Sequence, residues 1–195
     1  MVNYLERIPV PPASTFNIGL TSAKNAQMLE LFGHPVLGGA YRPDGKCTPP
    51  TNTSFKKLVA TRDVGPFRLT GIKPALEAVT GIFFRVRSEV PDLYALLRTE
   101  GMLCARFTKI KRPNGTIKIG PGVSNHSFGT AVDIKLSNSL DDQGDGKTQR
   151  GLLVLSAYFN SAGWYWGAAF PVEDAMHFEA SRSLLLTWRK SGLLE

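Results

Sequence analysis

The chain has 195 residues, of which 43% are hydrophobic and 20% are charged, the usual balance for a soluble globular protein. This length allows one domain with a substantial core, or one domain with a short appendage. No run of about 18 apolar residues occurs, which excludes a conventional membrane-spanning helix and predicts no membrane insertion.

The formal net charge is +7, which favours anionic partners such as nucleic acid or an anionic cell-envelope polymer, or serves solubility alone. No zinc finger, helix-turn-helix or basic stripe between aromatic residues is present, so we do not expect nucleic-acid binding. We also expect the protein to be a monomer. The first residues, M-V-N-Y-L-E-R-I-P-V-P-P, have no apolar stretch after a basic start. They predict synthesis in the cytoplasm without a signal peptide.

The N-terminal part of the chain has few regular patterns. A helix is predicted over 21–33, with Thr21 or Ser22 as the N-cap and Gly33 at its end. Glycine and proline then predict a loop over 34–54, in which His34 is expected to be structural or at the surface rather than a ligand.

The remainder of the chain alternates between helical and strand patterns. Helices are predicted over 74–87, 92–100, 150–163 and 183–190, and strands over 102–110, 116–119, 130–136 and 176–180, with a hairpin turn at Asn114-Gly115. This order predicts an α+β fold, with a mostly antiparallel sheet flanked by helices. We expect residues 1–65 to be an N-terminal extension that is packed on, or leads into, a domain formed by residues 66–195, the two making one structural unit.

Two short strand patterns place polar side chains on one face. In T-A-V-D-I-K-L, alternation buries one face of the strand and leaves Asp133 on the other, and in M-H-F-E-A it puts His177 and Glu179 on the same face. Gly129 permits a tight bend that would bring His126 over Asp133. If the two strands are neighbours, the two histidines and Asp133 converge. Two imidazoles and a carboxylate, with a fourth position for water, suit a catalytic zinc site.

A motif resemblance supports this interpretation. S-N-H-S-F-G-T-A-V-D resembles the S-x-H-x-x-G-x-A-x-D signature of the zinc peptidases grouped with D-alanyl-D-alanine carboxypeptidases. The matching positions are Ser124, His126, Gly129, Ala131 and Asp133. D-A-M-H, at 174–177, is similar to their second motif, an acidic residue three positions before a histidine. The resemblance covers roughly residues 70–181 and implies a fold like that of hedgehog and these peptidases.

The resemblance also implies roles for single residues. His126, Asp133 and His177 would bind Zn²⁺, and Asp174 would be the general base for the water that zinc activates. The commoner family pattern has glutamate at this position, and aspartate is similar to the phage endolysin branch that cuts the L-alanyl-D-glutamate bond. Glu173, one position earlier, is the alternative base.

The resemblance further implies that Arg106, in the predicted strand 102–110, holds a substrate carboxylate or polarises the scissile carbonyl, although it could be a plain surface arginine. Ser124 is expected to orient a metal ligand or the nearby backbone, and Glu179 to lie behind the ligands or near substrate. Trp166, in G-W-Y-W-G, belongs to the core or to the wall of a substrate groove. The segment 141–146 is predicted to be a solvated turn rather than a calcium loop.

Together, these features predict a zinc-dependent peptidoglycan peptidase, with an L-alanyl-D-glutamate endopeptidase preferred over a D-alanyl-D-alanine carboxypeptidase or dipeptidase. Such a hydrolase would reach the cell wall or periplasm after lysis or through a dedicated secretion route, as a phage endolysin or an antibacterial toxin. A non-catalytic, zinc-stabilised binding module, as in hedgehog signalling domains, is the alternative of another class. Cys47 and Cys104 are compatible with free thiols or with one disulfide.

Overall fold

The computed structural model describes residues 2–112 and 114–195, and it is an α+β fold in which every strand pairing between named strands is antiparallel. The helices of these residues are α1 (Asn25–Phe32), α2 (Thr53–Leu58), α3 (Lys73–Glu89), α4 (Pro91–Leu96), α5 (Arg150–Ser161) and α6 (Arg182–Lys190). The strands are β1 (Arg7–Pro9), β2 (Val59–Asp63), β3 (Arg68–Ile72), β4 (Leu97–Gly101), β5 (Phe107–Lys111), β6 (Ile117–Val123), β7 (Ala131–Leu136), β8 (Lys147–Gln149), β9 (Trp164–Trp166) and β10 (His177–Ala180). The predicted α+β class with mostly antiparallel strands is confirmed, whereas the likeness to the fold of hedgehog and the zinc peptidases stays a prediction.

A four-stranded sheet with the order β4-β7-β10-β9 forms the centre of the molecule. The apolar face of β7 packs against α5, and its side chains are fully buried, as the alternation in the sequence predicts. Phe159 of α5 stacks on Phe178 of β10, with the two ring centroids 4.2 Å apart. The opposite face of β7 and β10 is therefore free to carry polar side chains.

The helix α3 follows its predicted pattern closely. Its buried side chains include Leu76, Val79, Phe83 and Val86, which recur at the spacing of one helical face. Pro74 lies in the first turn, where its missing N–H costs no intrahelical hydrogen bond. This helix contacts α5, which in turn contacts β7 of the central sheet.

Two predicted elements are each wrong in one half, the helix over 92–100 in its second half and the strand over 102–110 in its first. The helix predicted over 92–100 ends at Leu96, and Leu97–Gly101 instead forms the edge strand β4, paired with β7. The strand predicted over 102–110 begins only at Phe107. For Leu97–Gly101, pairing with β7, which is distant in sequence, overrides the local helical propensity of a short segment.

The N-terminal segment also differs from its prediction. The helix α1 begins at Asn25 with Lys24 as its N-cap residue, so Thr21 and Ser22 lie outside it. The predicted loop over 34–54 already contains the first two residues of α2, which Asn52 caps by accepting from two backbone N–H groups. The hairpin of β2 and β3 was not predicted.

Several contacts attach the first 65 residues to the rest of the chain. The strand β1 pairs with β8, and the Asn17 side chain donates to the Trp166 carbonyl, 2.9 Å away. Cys47 and Cys104 form a disulfide, so both thiols are paired. The predicted division at residues 65 and 66 stays a prediction.

In the described part of the chain, no helix combines the length and apolar character needed to cross a membrane.

The predicted solvated turn over 141–146 is wrong at its first residue. Asp141 is buried, and its Oδ1 accepts a hydrogen bond from the Gln149 N–H at 2.9 Å. Among the described residues, its Oδ2 has no hydrogen-bond partner. Burial raises the pKa of Asp141 to about 6, because a buried carboxylate is poorly solvated.

We expect Asp141→Asn to stabilise the protein at pH 8 by about 1–3 kcal/mol, measured by urea unfolding of metal-free protein. The pKa of Asp141 is higher in the folded chain than in the unfolded chain, so stability falls as the pH rises from about 4 through 6. The gain should therefore nearly vanish at pH 4. Asp142→Asn is the control, because Asp142 is exposed and paired with Arg7. An equal gain at both pH values would contradict this prediction.

Candidate metal centre

Three predicted ligand residues meet on the polar face of the central sheet. Asp133 of β7 and His177 of β10 are direct partners in the antiparallel register. His126 lies in a single turn of 3₁₀-helix, Asn125–Phe128, just before β7. The predicted convergence of these side chains is confirmed, and the metal that they would bind stays a prediction.

Gly129 makes the bend between His126 and Asp133. Its φ is +61°, in the left-handed region that glycine adopts without steric cost. A side chain here would also lie 2.8 Å from the Cα of Gly71 and 2.9 Å from the N of Ile72. The sequence predicted the bend, but this close approach to β3 is a property of the tertiary structure.

The three candidate ligand atoms form a nearly equilateral triangle. His126 Nε2 lies 3.1 Å from Asp133 Oδ1 and 3.2 Å from His177 Nδ1, and His177 Nδ1 lies 3.1 Å from Asp133 Oδ1. Tetrahedral zinc with bonds of about 2.0–2.1 Å places its ligand atoms roughly 3.3 Å apart. The spacing therefore suits a zinc ion.

The outer nitrogen of each imidazole contacts an acceptor. His126 Nδ1 lies 3.0 Å from the Met102 carbonyl, and His177 Nε2 lies 3.0 Å from Glu179 Oε2. Since these oxygens only accept, the ring protons belong on the outer nitrogens, and both inner nitrogens can direct a lone pair at the cluster. Two lone pairs and a carboxylate oxygen at one point fit a cation.

The charges of the cluster are strongly coupled. Burial would raise the pKa of Asp133, but the two histidines hold it well below its usual value. Burial would lower the pKa of His177, but hydrogen bonds to Asp133 and Glu179 raise it well above its usual value. A bound cation would take the place of the proton on His177 Nδ1.

Asp174 lies in the bend that leads into β10, as predicted from its position relative to His177. Its backbone N–H donates to the Gly167 carbonyl at 3.0 Å, and its carbonyl accepts from the His177 N–H at 3.1 Å. Its carboxylate accepts from the Gln143 amide at 3.2 Å. Burial raises the pKa of Asp174, with a further contribution from the nearby Asp133. Asp174, Gln143 and the cluster line one small cleft.

Glu173, the alternative base, is directed elsewhere. Its Oε1 accepts from the backbone N–H groups of Gly144 and Asp145, at 2.7 and 2.8 Å. It therefore fixes the loop after Gln143, and it is not among the residues that line the cleft. Of the two candidate bases, only Asp174 lines the cleft together with the cluster.

Arg106 lies in the connection before β5, so its predicted place within a strand is wrong. It is half-buried and lines the same cleft as Asp174. Burial lowers the pKa of Arg106, while Asp133 and Asp174 oppose that shift. Its side chain donates to the Phe107 carbonyl at 3.2 Å, and it forms no salt bridge with a described residue. The guanidinium thus keeps donors for a ligand.

The backbone around Arg106 is tied to the first motif. The Ser124 N–H donates to the Arg106 carbonyl at 3.0 Å, and Ser127 Oγ accepts from the Arg106 N–H at 2.9 Å. The Cys104 N–H donates to the His126 carbonyl at 3.0 Å, so the disulfide with Cys47 is anchored beside the cluster. The roles expected for the Ser124 side chain stay predictions.

Trp166 does not wall the cleft, because it is completely buried. Its indole N–H donates to the Ala175 carbonyl at 2.7 Å, inside the bend between Asp174 and His177. It therefore supports that bend from the core. Sequence reasoning missed Phe170, which lines the cleft with its ring centroid 5.5 Å from that of His177. Gln143 was also missed, since nothing in the polar segment around it distinguishes it.

Residues 119–180 match the model of a family described as D-alanyl-D-alanine carboxypeptidase. The matched segment contains His126, Asp133, Asp174 and His177, whereas Arg106 and everything before it lie outside. It covers less than half of the chain. No match was found among curated proteins or among solved structures.

Proposed function

We propose that this protein is a zinc-dependent peptidase that hydrolyses an amide bond in the stem peptide of peptidoglycan. The observation that carries the proposal is the triangle of His126, Asp133 and His177 beside the half-buried carboxylate of Asp174. All four residues lie in the segment that matches the D-alanyl-D-alanine carboxypeptidase family. That family match supports a peptidase, and the donor set supports zinc.

His126, Asp133 and His177 would hold the ion. When bound, zinc would lower the pKa of a water molecule and polarise the scissile carbonyl. Asp174 would take one proton from the water as the new C–O bond forms, and would then transfer it to the amine nitrogen as the C–N bond breaks, which leaves a carboxyl group and a free amine. The raised pKa of Asp174 suits the first half of this transfer, because a weaker acid is the better base.

Arg106 would bind a substrate carboxylate at the same cleft. In both candidate bonds, the residue that supplies the leaving amine carries a carboxylate on the adjacent carbon. A guanidinium can bind such a group through two parallel hydrogen bonds. Arg106 thus supports both substrates equally, and the preference for the L-alanyl-D-glutamate bond rests on aspartate in place of glutamate at position 174.

We further propose that the protein acts as a monomer on the cell wall or in the periplasm, which it reaches after lysis or by dedicated secretion. The disulfide between Cys47 and Cys104 supports action in an oxidising environment. The net charge of +7 would favour adhesion to an anionic wall.

Digestion of purified peptidoglycan with the zinc-loaded protein, followed by mass spectrometry of the soluble fragments, tests the function. We expect new fragments with an N-terminal D-glutamate. Release of free D-alanine would instead identify a carboxypeptidase. No hydrolysis by a protein that binds zinc stoichiometrically would overturn the peptidase and favour the zinc-stabilised binding module.

A further inference from the structure

We infer that Ser22 is a positioning residue of the metal centre, acting on His177 through Glu179. The inference rests on the proposed zinc site, but it concerns a residue far before the segment that matches the peptidase family. It would mean that the N-terminal segment helps to orient a ligand of the proposed zinc site.

The contacts form a chain from Ser22 to the cluster. Glu179 is only 2% exposed, and its carboxylate accepts three hydrogen bonds. Ser22 Oγ donates to its Oε1 at 2.5 Å, whereas the Asn125 amide and His177 Nε2 donate to its Oε2 at 2.7 and 3.0 Å. Ser22 thus binds Oε1 of Glu179, the carboxylate oxygen that does not contact His177.

This arrangement controls the direction of the imidazole. Burying a carboxylate oxygen that accepts no hydrogen bond costs free energy. The carboxylate therefore rotates so that each oxygen faces a hydrogen-bond donor. With Oε1 held by Ser22, Oε2 stays in line with His177 Nε2, and the ring keeps Nδ1 directed at Asp133. Loss of Ser22 would free the carboxylate to rotate or admit water, and the ring orientation would be less restricted.

Ser22 is itself held firmly, because its neighbours are bound on two sides. The Thr21 carbonyl accepts from the Arg182 N–H at 2.9 Å, where α6 begins directly after β10. The Asn25 amide donates to the Val123 carbonyl at 2.8 Å, at the end of β6. The segment 21–25 therefore spans from the end of β6 to the start of α6, and Ser22 lies between these two attachments.

The test compares zinc affinities of full-length variants by competition with a chelator of known affinity. Ser22→Ala is expected to weaken zinc binding about tenfold, the lower end of the range for partners behind metal ligands. Ser22→Thr retains a hydroxyl and should restore the affinity to within about twofold of the original protein. Ser14→Ala is the control, because Ser14 is exposed in the same N-terminal segment.

A second variant and a second measurement separate positioning from folding. Asn125→Ala removes another donor to Glu179 and should weaken zinc binding in the same direction. Urea unfolding of each metal-free variant reports stability independently. Unchanged zinc affinity in both variants, with lower stability alone, would overturn the inference and leave Ser22 a structural residue.

Failure of the Ser22 inference can be distinguished from failure of the proposed peptidase function. A protein that binds zinc but hydrolyses no peptidoglycan would contradict the peptidase, while the affinity series would still decide the role of Ser22. A protein that takes up no zinc would overturn the metal centre and this inference together.

Discussion

Replacing Asp174 with asparagine is expected to reduce peptidoglycan hydrolysis by about 100- to 10,000-fold, the range for loss of a general base. Asparagine has nearly the same size, and its amide oxygen can still accept from Gln143. It cannot take a proton from water at neutral pH, so the fold and the ligand triangle should persist while the reaction stops. The measurement is the initial rate of fragment release at saturating zinc, with zinc content determined on the same sample.

Glu173→Gln is the matched control for that variant. Glu173 precedes Asp174 directly, but its carboxylate accepts from the backbone of the loop at Gly144 and Asp145. We expect this variant to keep most of its hydrolytic rate. A large loss in Glu173→Gln with little loss in Asp174→Asn would reverse the assignment of the base.

Replacing His126 with alanine is expected to weaken zinc binding by about 60- to 700-fold and to reduce hydrolysis to background. Structural zinc sites bind with about 10–16 kcal/mol spread over four ligands, so one ligand accounts for roughly 2.5–4 kcal/mol. At about 1.4 kcal/mol per tenfold change, that loss corresponds to a factor of about 60–700. Metal content after dialysis against a weak chelator, together with the rate of fragment release, measures both effects.

His34→Ala is the control for the loss of a histidine. His34 Nδ1 contacts the Tyr41 hydroxyl at 3.2 Å, and it takes no part in the ligand triangle. This variant should retain its zinc. If His126→Ala still bound zinc as tightly as the unchanged protein, the triangle would not be the metal centre.

Much of the central sheet and the inner part of the site could be predicted from the sequence. The apolar alternation of β7 and the spacing in α3 are properties of neighbouring residues, and burial in the folded protein follows them. The same alternation placed Asp133 and His177 on polar faces, so only the pairing of two strands was needed to bring them together. The bend at Gly129 was also predictable, because glycine adopts the left-handed conformation without steric cost.

The errors occur where a segment has no strong pattern of its own. Residues 97–101 can continue a helix, but hydrogen bonds to β7 make them an edge strand. Arg106 was placed in a strand and lies in the connection before one, although it still reaches the cleft. Short segments such as these take the structure that their distant partners impose.

The faces that carry the candidate metal ligands thus follow from local sequence, whereas the contacts that orient these side chains are set by the tertiary structure. Ser22 is 157 residues from Glu179 in the chain, and no periodicity links the two. Which ring nitrogen of His126 faces the cluster depends on the Met102 carbonyl, 24 residues earlier. Hydrogen bonds of this kind depend on how separate helices, strands and loops pack against one another. The residue pattern of a single element predicts only which of its faces is buried.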